Sequence, residues 1–203
     1  MIVNKPRGMI THHGAGATEG TLQDLLERND LDRNGIVHRL DKNTAGLLIV
    51  AKTAEAQLKL QECLRNREIK RTYTGIVEGV VHDHGTINKN LIRSPRNRTK
   101  YITTKDGGRE AVTHYWVERQ FKKHTLLKFQ LETGRTHQIR VHCKSIGHPL
   151  VGDSEYNPKS SIKIDGQMLE SIALEFIHPI TQKEISINIK STPIFVDVLN
   201  KLG

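Results

Sequence analysis

His38, Arg39 and Asp41 put an imidazole, a guanidinium and a carboxylate into one short polar segment ahead of the apolar run at residues 47–51. That run is short, contains Ile and Val and follows Gly46, so it reads as a buried strand. The polar segment then reads as a loop carried to a surface by the sheet, a place where catalytic side chains usually sit. In an extended loop, residues i and i+2 share a face. Arg39 and Asp41 would then project together while Leu40 packs inward. A plainer reading competes: an Asx-turn in which Asp41 bonds the backbone near Asn43 and Thr44.

Other charged groups gather at two places. Arg93, Arg96, Arg98 and Lys100 crowd a Pro-containing loop, with Lys105 and Arg109 close behind across the Asp106-Gly107-Gly108 turn, which two strands would flank as a hairpin. A charge run is most often a solvated face. This one has a single sign and lies on a loop, which favours contact with phosphate. Further on, Gly134 supplies a tight turn and Thr136 a helix cap, with Ile139, Cys143 and Ile146 on the buried side and Gly147 as terminator. His137, Arg140 and Lys144 then share one exposed face at i, i+3 and i+7. The pair His12-His13 reads as part of a polar loop, since no metal-type spacing accompanies it.

The elements that must position these groups follow from periodicity. Thr21 opens a short helix with Leu22, Leu25 and Leu26 on one face. Thr53 caps a second helix whose Ala56, Leu60, Cys63 and Leu64 face the core. Residues 70–77 resume extended structure, with Tyr73, Gly75 and Val77 on one face and open space beside the Tyr73 ring at Gly75. Further strands are expected over 85–92, 111–117 and 125–131, the last with Leu127, Phe129 and Leu131 inward. A hairpin containing Ile185, Ile187 and Ile189 and a final helix complete an α+β chain.

Composition limits the partners. The 203 residues suffice for a single domain spanning 1–203, and 36% hydrophobic with 26% charged residues suit a globular protein rather than a disordered one. No apolar run approaches the length that spans a bilayer. Lys and Arg number 31 against 22 acids, a formal charge of +9 that favours a polyanion, with nucleic acid ahead of membrane. Aromatic residues make up only 4%, which argues against a multi-base stacking platform. Lys5, Pro6 and Arg7 interrupt any apolar leader. Cys63 and Cys143 read as reduced thiols of a cytoplasmic protein.

Three stretches in order resemble one family. HRLDKNTAGLLIVAK is similar to the signature of the RluA-type pseudouridine synthases, and NKPRG to the motif that precedes it. TGRTHQIRVH with GHPLVGDSEY matches the family's late motif at every fixed position. Ala45 departs from the family's usual Ser, and Leu169-Glu170-Ser171 stands where L-H-A is common. The resemblance is to the catalytic domain alone, without the S4-type RNA-binding domain of many relatives. It implies a mixed, largely antiparallel sheet in two abutting halves with helices packed on it and a central cleft. The activity implied is isomerisation of uridine to pseudouridine in rRNA or tRNA, needing neither cofactor nor metal. The chain is expected to act as a monomer.

Carried over, Asp41 is the catalytic carboxylate, acting either as nucleophile on C1′ or as base at C2′. Arg140 would favour its ionised form by opposing charge. Tyr73 would lie against the target base, as the family's K/R-x-Y segment does, and Arg39 would fill the gap left by the flipped uridine. His38, Arg135, His137, Arg96, Arg98 and Lys100 are the remaining expected RNA contacts. The rival from another class is a catalytically inactive RNA-binding or ribosome-assembly protein on the same fold.

Overall fold

The computed structural model describes residues 1–13, 19–28 and 35–203. Gly14, which follows the His12-His13 pair, lies outside the described residues. In chain order the elements are β1 (Ile2–Lys5), α1 (Leu22–Glu27), β2 (Ala45–Ile49), α2 (Ala54–Arg65), β3 (Lys70–Glu78), β4 (Gly85–Asn88), β5 (Asn90–Arg93) and β6 (Tyr101–Thr104). There follow β7 (Val112–Gln120), β8 (His124–Leu131), α3 (Gln138–Ser145), β9 (Leu169–Ile177), β10 (Glu184–Asn188) and α4 (Pro193–Leu202). The fold is α+β, and the strand registers that can be followed are antiparallel. Two compact units divide the chain, one of residues 1–71 with 171–190, the other of 72–170 with 191–203.

In the first unit the strands run β1, β2, β9, with β10 paired to β9. Every residue of β2 is buried, as its apolar run requires. Gly46 lies inside the strand rather than ahead of it. Its φ is +112°, and a Cβ there would stand 2.1 Å from the Ser171 carbonyl oxygen, so no other residue fits. Thr53 caps α2 by accepting from the Ala56 N–H. The helix lays Leu60 on Leu47, Ile49, Leu174 and Phe176, with Ala56, Cys63 and Leu64 beside it. Burying one such leucine contributes roughly 2 kcal/mol. Thr21 and Asp24 form a capping box on α1. Only Leu22 and Leu26 of that helix face inward; Leu25 is exposed, because a helix of six residues presents too short a face for all of them.

In the second unit the order is β3, β8, β7, β4, with β5 and β6 as a separate ribbon. The strand expected over 85–92 is broken at Lys89: β4 pairs with β7, whereas β5 pairs with β6. The reason is visible at the break, where Lys89 donates its N–H to Ala111 and its carbonyl meets His142 Nε2. The Asp106-Gly107-Gly108 turn does not join two neighbouring strands. It carries the chain across the ribbon, since Arg109 bridges the opposite edge of β5 at Leu91. Gly75 leaves no open space either: Leu150, Met168 and Phe129 atoms stand 3.1 Å from where its Cβ would be. Phe195 and Val198 of α4 pack on Ile76, Val151 and Met168. Glu170, a departure from the family pattern, is buried and accepts from the backbone N–H and hydroxyl of Thr192, the N-cap of α4.

The start of α3 differs from expectation. Its N-cap is His137, not Thr136, held at φ +57° and giving no side-chain cap. Gln138 holds the turn instead. Its Oε1 accepts from Arg135 N–H at 2.9 Å and Thr133 Oγ1 at 2.8 Å, and its Nε2 donates to the Val112 carbonyl at 3.0 Å. At the other end Gly147, at φ +84°, closes a Schellman motif: His148 N–H reaches Cys143 O and Gly147 N–H reaches Lys144 O.

Candidate active site

The loop bearing Asp41 belongs to the first unit, and its carbonyls are held by the segment before it. Thr11 Oγ1 donates to Leu40 O at 2.7 Å, Gly8 N–H to Lys42 O at 2.9 Å, and Arg7 Nη1 to Asn43 O at 3.1 Å. Lys5 Nζ adds a bond to Lys42 O at 3.2 Å while also donating to Met9 O at 2.8 Å and Pro6 O at 3.1 Å. Thr44 N–H closes the turn on Asp41 O. Leu40 is buried, Arg39 exposed and Asp41 half-buried, the alternation an extended segment requires. The loop is therefore a fixed platform for the carboxylate.

Lys5 belongs to this platform although neither periodicity nor charge clustering points to it. Its ammonium is wholly buried. Burial pulls its pKa down to about 8, against the raising effect of the Asp41 charge, with Arg7 lowering it further. A lysine between an apolar strand and a turn looks solvated in sequence; only its place in the NKPRG motif hinted otherwise.

His38, an expected RNA contact, is engaged with the fold through one ring nitrogen. Its Nε2 accepts the Ile49 N–H at 3.0 Å, so the ring supports β2 and the proton sits on Nδ1. Among the described residues that buried Nδ1 has no hydrogen-bond partner. Burial, with the charge of Arg71 second, pulls the pKa to about 3, which keeps the ring neutral. His12 stands near enough to Arg39 and His13 to be lowered by their charges, after burial. His13 Nε2 lies 2.5 Å from Asp24 Oδ1.

The second unit carries Tyr73, Arg135, His137 and Arg140. Tyr73 lies on β3 opposite Phe129 and is buried. The expected exposed face of His137, Arg140 and Lys144 does not form: Arg140 is buried, His137 half-buried, and only Lys144 is exposed. The cause is the turn that follows the helix. Arg140 Nε and Nη2 meet Asp153 at 2.7 and 2.8 Å, and Nη2 also meets Glu155 at 2.5 Å. His137 Nδ1 bonds the Tyr156 hydroxyl at 2.8 Å, and Arg135 Nε donates to Glu110 O.

Arg96 and Arg98 are exposed on the loop that joins β5 to β6. Lys100 is drawn inward instead, its Nζ donating to Glu155 O at 2.7 Å, so it serves the fold as well as any charge role. Arg93 lies over the Tyr101 ring, 5.7 Å from its centroid. Among the described residues no group of His, Cys, Asp and Glu is arranged to hold a metal ion, and no helix is long and apolar enough to cross a membrane.

Comparison with known proteins adds an independent line. Residues 1–145 match the model of a family described as RNA pseudouridylate synthase. An uncharacterized RNA pseudouridine synthase, YlyB of Bacillus subtilis, is 46% identical over 190 residues, 89% of this chain and 62% of that protein. Ribosomal large subunit pseudouridine synthase D of Escherichia coli is 43% identical over 203 residues, 91% of this chain and 62% of that protein. The chain thus spans about three fifths of these relatives' length. The solved structure of human RNA pseudouridylate synthase domain containing 4 superposes with a TM-score of 0.78 at 22% identity, over 99% of this chain and 88% of that one. At that identity the likeness speaks for the fold alone.

Proposed function

The chain belongs to the RNA pseudouridylate synthase family, and from that premise we propose that it isomerises uridine to pseudouridine in structured RNA, as one catalytic domain of the cytoplasm. The observation that carries this reading is Asp41, at the family's carboxylate position on a loop whose carbonyls are held by residues 5–11. The substrate we favour is ribosomal RNA of the large subunit, by analogy with the name of the Escherichia coli relative.

In this reading Asp41 works at the sugar, as nucleophile on C1′ or base at C2′. A held loop matters because small misplacements of a reacting group are costly in rate. Arg140 opposes the carboxylate's charge, Tyr73 packs on the uracil as it turns, and Arg39 occupies the space of the extruded nucleotide. Arg96 and Arg98, with Arg135 and His137, contact the RNA backbone. None of these steps calls for a metal or an organic cofactor.

The test is pseudouridine mapping of total RNA with and without the protein, joined to single-turnover tritium release on the site found. Asp41→Asn should abolish turnover while RNA affinity stays within a few-fold, since the change removes charge at nearly constant shape. Residual turnover would remove Asp41 from its role. Absence of any modified site would favour a binding protein on the same fold.

A further inference from the structure

The late motif contains a segment, Gly152-Asp153-Ser154-Glu155-Tyr156, to which the proposed chemistry assigns nothing. In the structure this segment closes around one guanidinium. Asp153 is fully buried and grips Arg140 in bidentate fashion through Nε and Nη2. Glu155 takes Nη2 as well, and the Arg140 Cζ lies 4.9 Å from the centroid of the Tyr156 ring.

The segment is itself held. Asp153 Oδ1 accepts from the N–H groups of Glu155 and Tyr156 at 3.1 Å each, and the Asp153 carbonyl accepts from Asn157 N–H at 2.6 Å. The Tyr156 hydroxyl accepts from Tyr101 N–H at 2.9 Å and bonds His137 Nδ1. Lys100 Nζ fastens the Glu155 carbonyl.

Two carboxylates on one buried guanidinium are a poor device for stability alone, because desolvation offsets much of what a single buried pair gains. They are a good device for orientation. A bidentate pair fixes the plane of the guanidinium, a second acid fixes its rotation, and an aromatic ring bounds one side. We propose that Asp153, Glu155 and Tyr156 form a guanidinium receptor that positions Arg140 for the isomerisation. This rests on the reading of Arg140 as the group opposing Asp41. Asp153 and Glu155 are then positioning residues, and the rival is a salt-bridge staple that merely secures the 153–157 turn.

Glu155, the more exposed acid, gives the milder variant. Glu155→Gln should lower the single-turnover rate about ten-fold, with RNA Kd and melting temperature little changed, because misorientation of a group near the reacting centre acts on rate rather than binding. An unchanged rate would overturn the proposal. The second measurement is chemical rescue. Arg140→Ala should lose turnover, and methylguanidinium should restore part of it by entering the preformed receptor. In Arg140→Ala/Glu155→Gln the half-restoring concentration should rise about ten-fold, a loss of one charge-assisted bond. Lost turnover with equal rescue in both backgrounds would overturn the receptor alone. Full turnover by Arg140→Ala would instead remove the role of Arg140 on which the receptor rests. Should Arg140→Ala fail to fold, the Glu155→Gln rate decides by itself.

Discussion

His38 gives the protein an acid sensitivity that its motif position does not suggest. Its folded-state pKa, about 3, lies below the ordinary imidazole value of 6.5, so the unfolded chain binds more protons between those values. Stability from this group is complete above about pH 6.5 and is lost as pH falls from there towards 3. His38→Gln keeps an acceptor for the Ile49 N–H and removes the titration. Urea melts at pH 5 and 7.5 should therefore show a smaller difference for the variant than for the parent. Equal differences would mean that the ring is protonated in place. Arg140 carries the opposite liability. Arg140→Met would leave Asp153 buried beside Glu155 without a cation, so a loss of about 3–5 kcal/mol is expected, read from denaturant melts. A loss of activity in that variant would therefore report on folding as well as on Asp41.

At the scale of elements, β2 and the β5–β6 ribbon divide the work of holding and reaching. β2 lies so close to Ser171 that its Gly46 has no room for a side chain, and Ser171 Oγ donates to Leu47 O at 3.0 Å. Gly46→Ala combines a backbone clash with an unfavourable φ, and should cost more than about 3 kcal/mol or leave the protein insoluble. A melt within 1 kcal/mol of the parent, on the order of an ordinary surface change, would show that the strand can shift. The ribbon ends in a loop whose Arg96 and Arg98 are exposed. Reversing both to Glu should weaken RNA binding and flatten the plot of log K against log salt by roughly 1.4–1.8, two phosphate contacts' worth of released counterions. An unchanged slope would move the RNA surface to the face that carries Lys144.

Across the whole molecule, a formal charge of +9 is distributed over a chain whose proposed catalytic groups come from both compact units. Asp41 and Arg39 sit in the unit of residues 1–71 with 171–190, Tyr73 and Arg140 in the other. Sequence-independent affinity for RNA should accordingly fall more than about ten-fold between 50 and 200 mM salt, as expected once a few phosphates are neutralised. Filter binding with a non-cognate RNA checks this, and a salt-insensitive Kd would contradict a charge-driven encounter.

Local chemistry was enough for much of this protein. The apolar run of β2, the Thr53 cap and inward stripe of α2, the inward Leu127, Phe129 and Leu131 of β8, and the Gly147 stop are short-range consequences of periodicity and backbone freedom. The HRLD, TGRTHQIRVH and GHPLVGDSEY stretches likewise identified the family from residue order alone. Only tertiary structure decided the partners of the charged groups. Nothing in the sequence near Lys5 announces three carbonyl acceptors, one of them on the Asp41 loop. Nothing near Arg140 announces that Asp153 and Glu155 will fold back over it and bury the face that helical spacing left exposed. Helix periodicity records which residues share a side; whether that side meets water or a returning turn depends on contacts distant along the chain. A charge is placed by what it finds there.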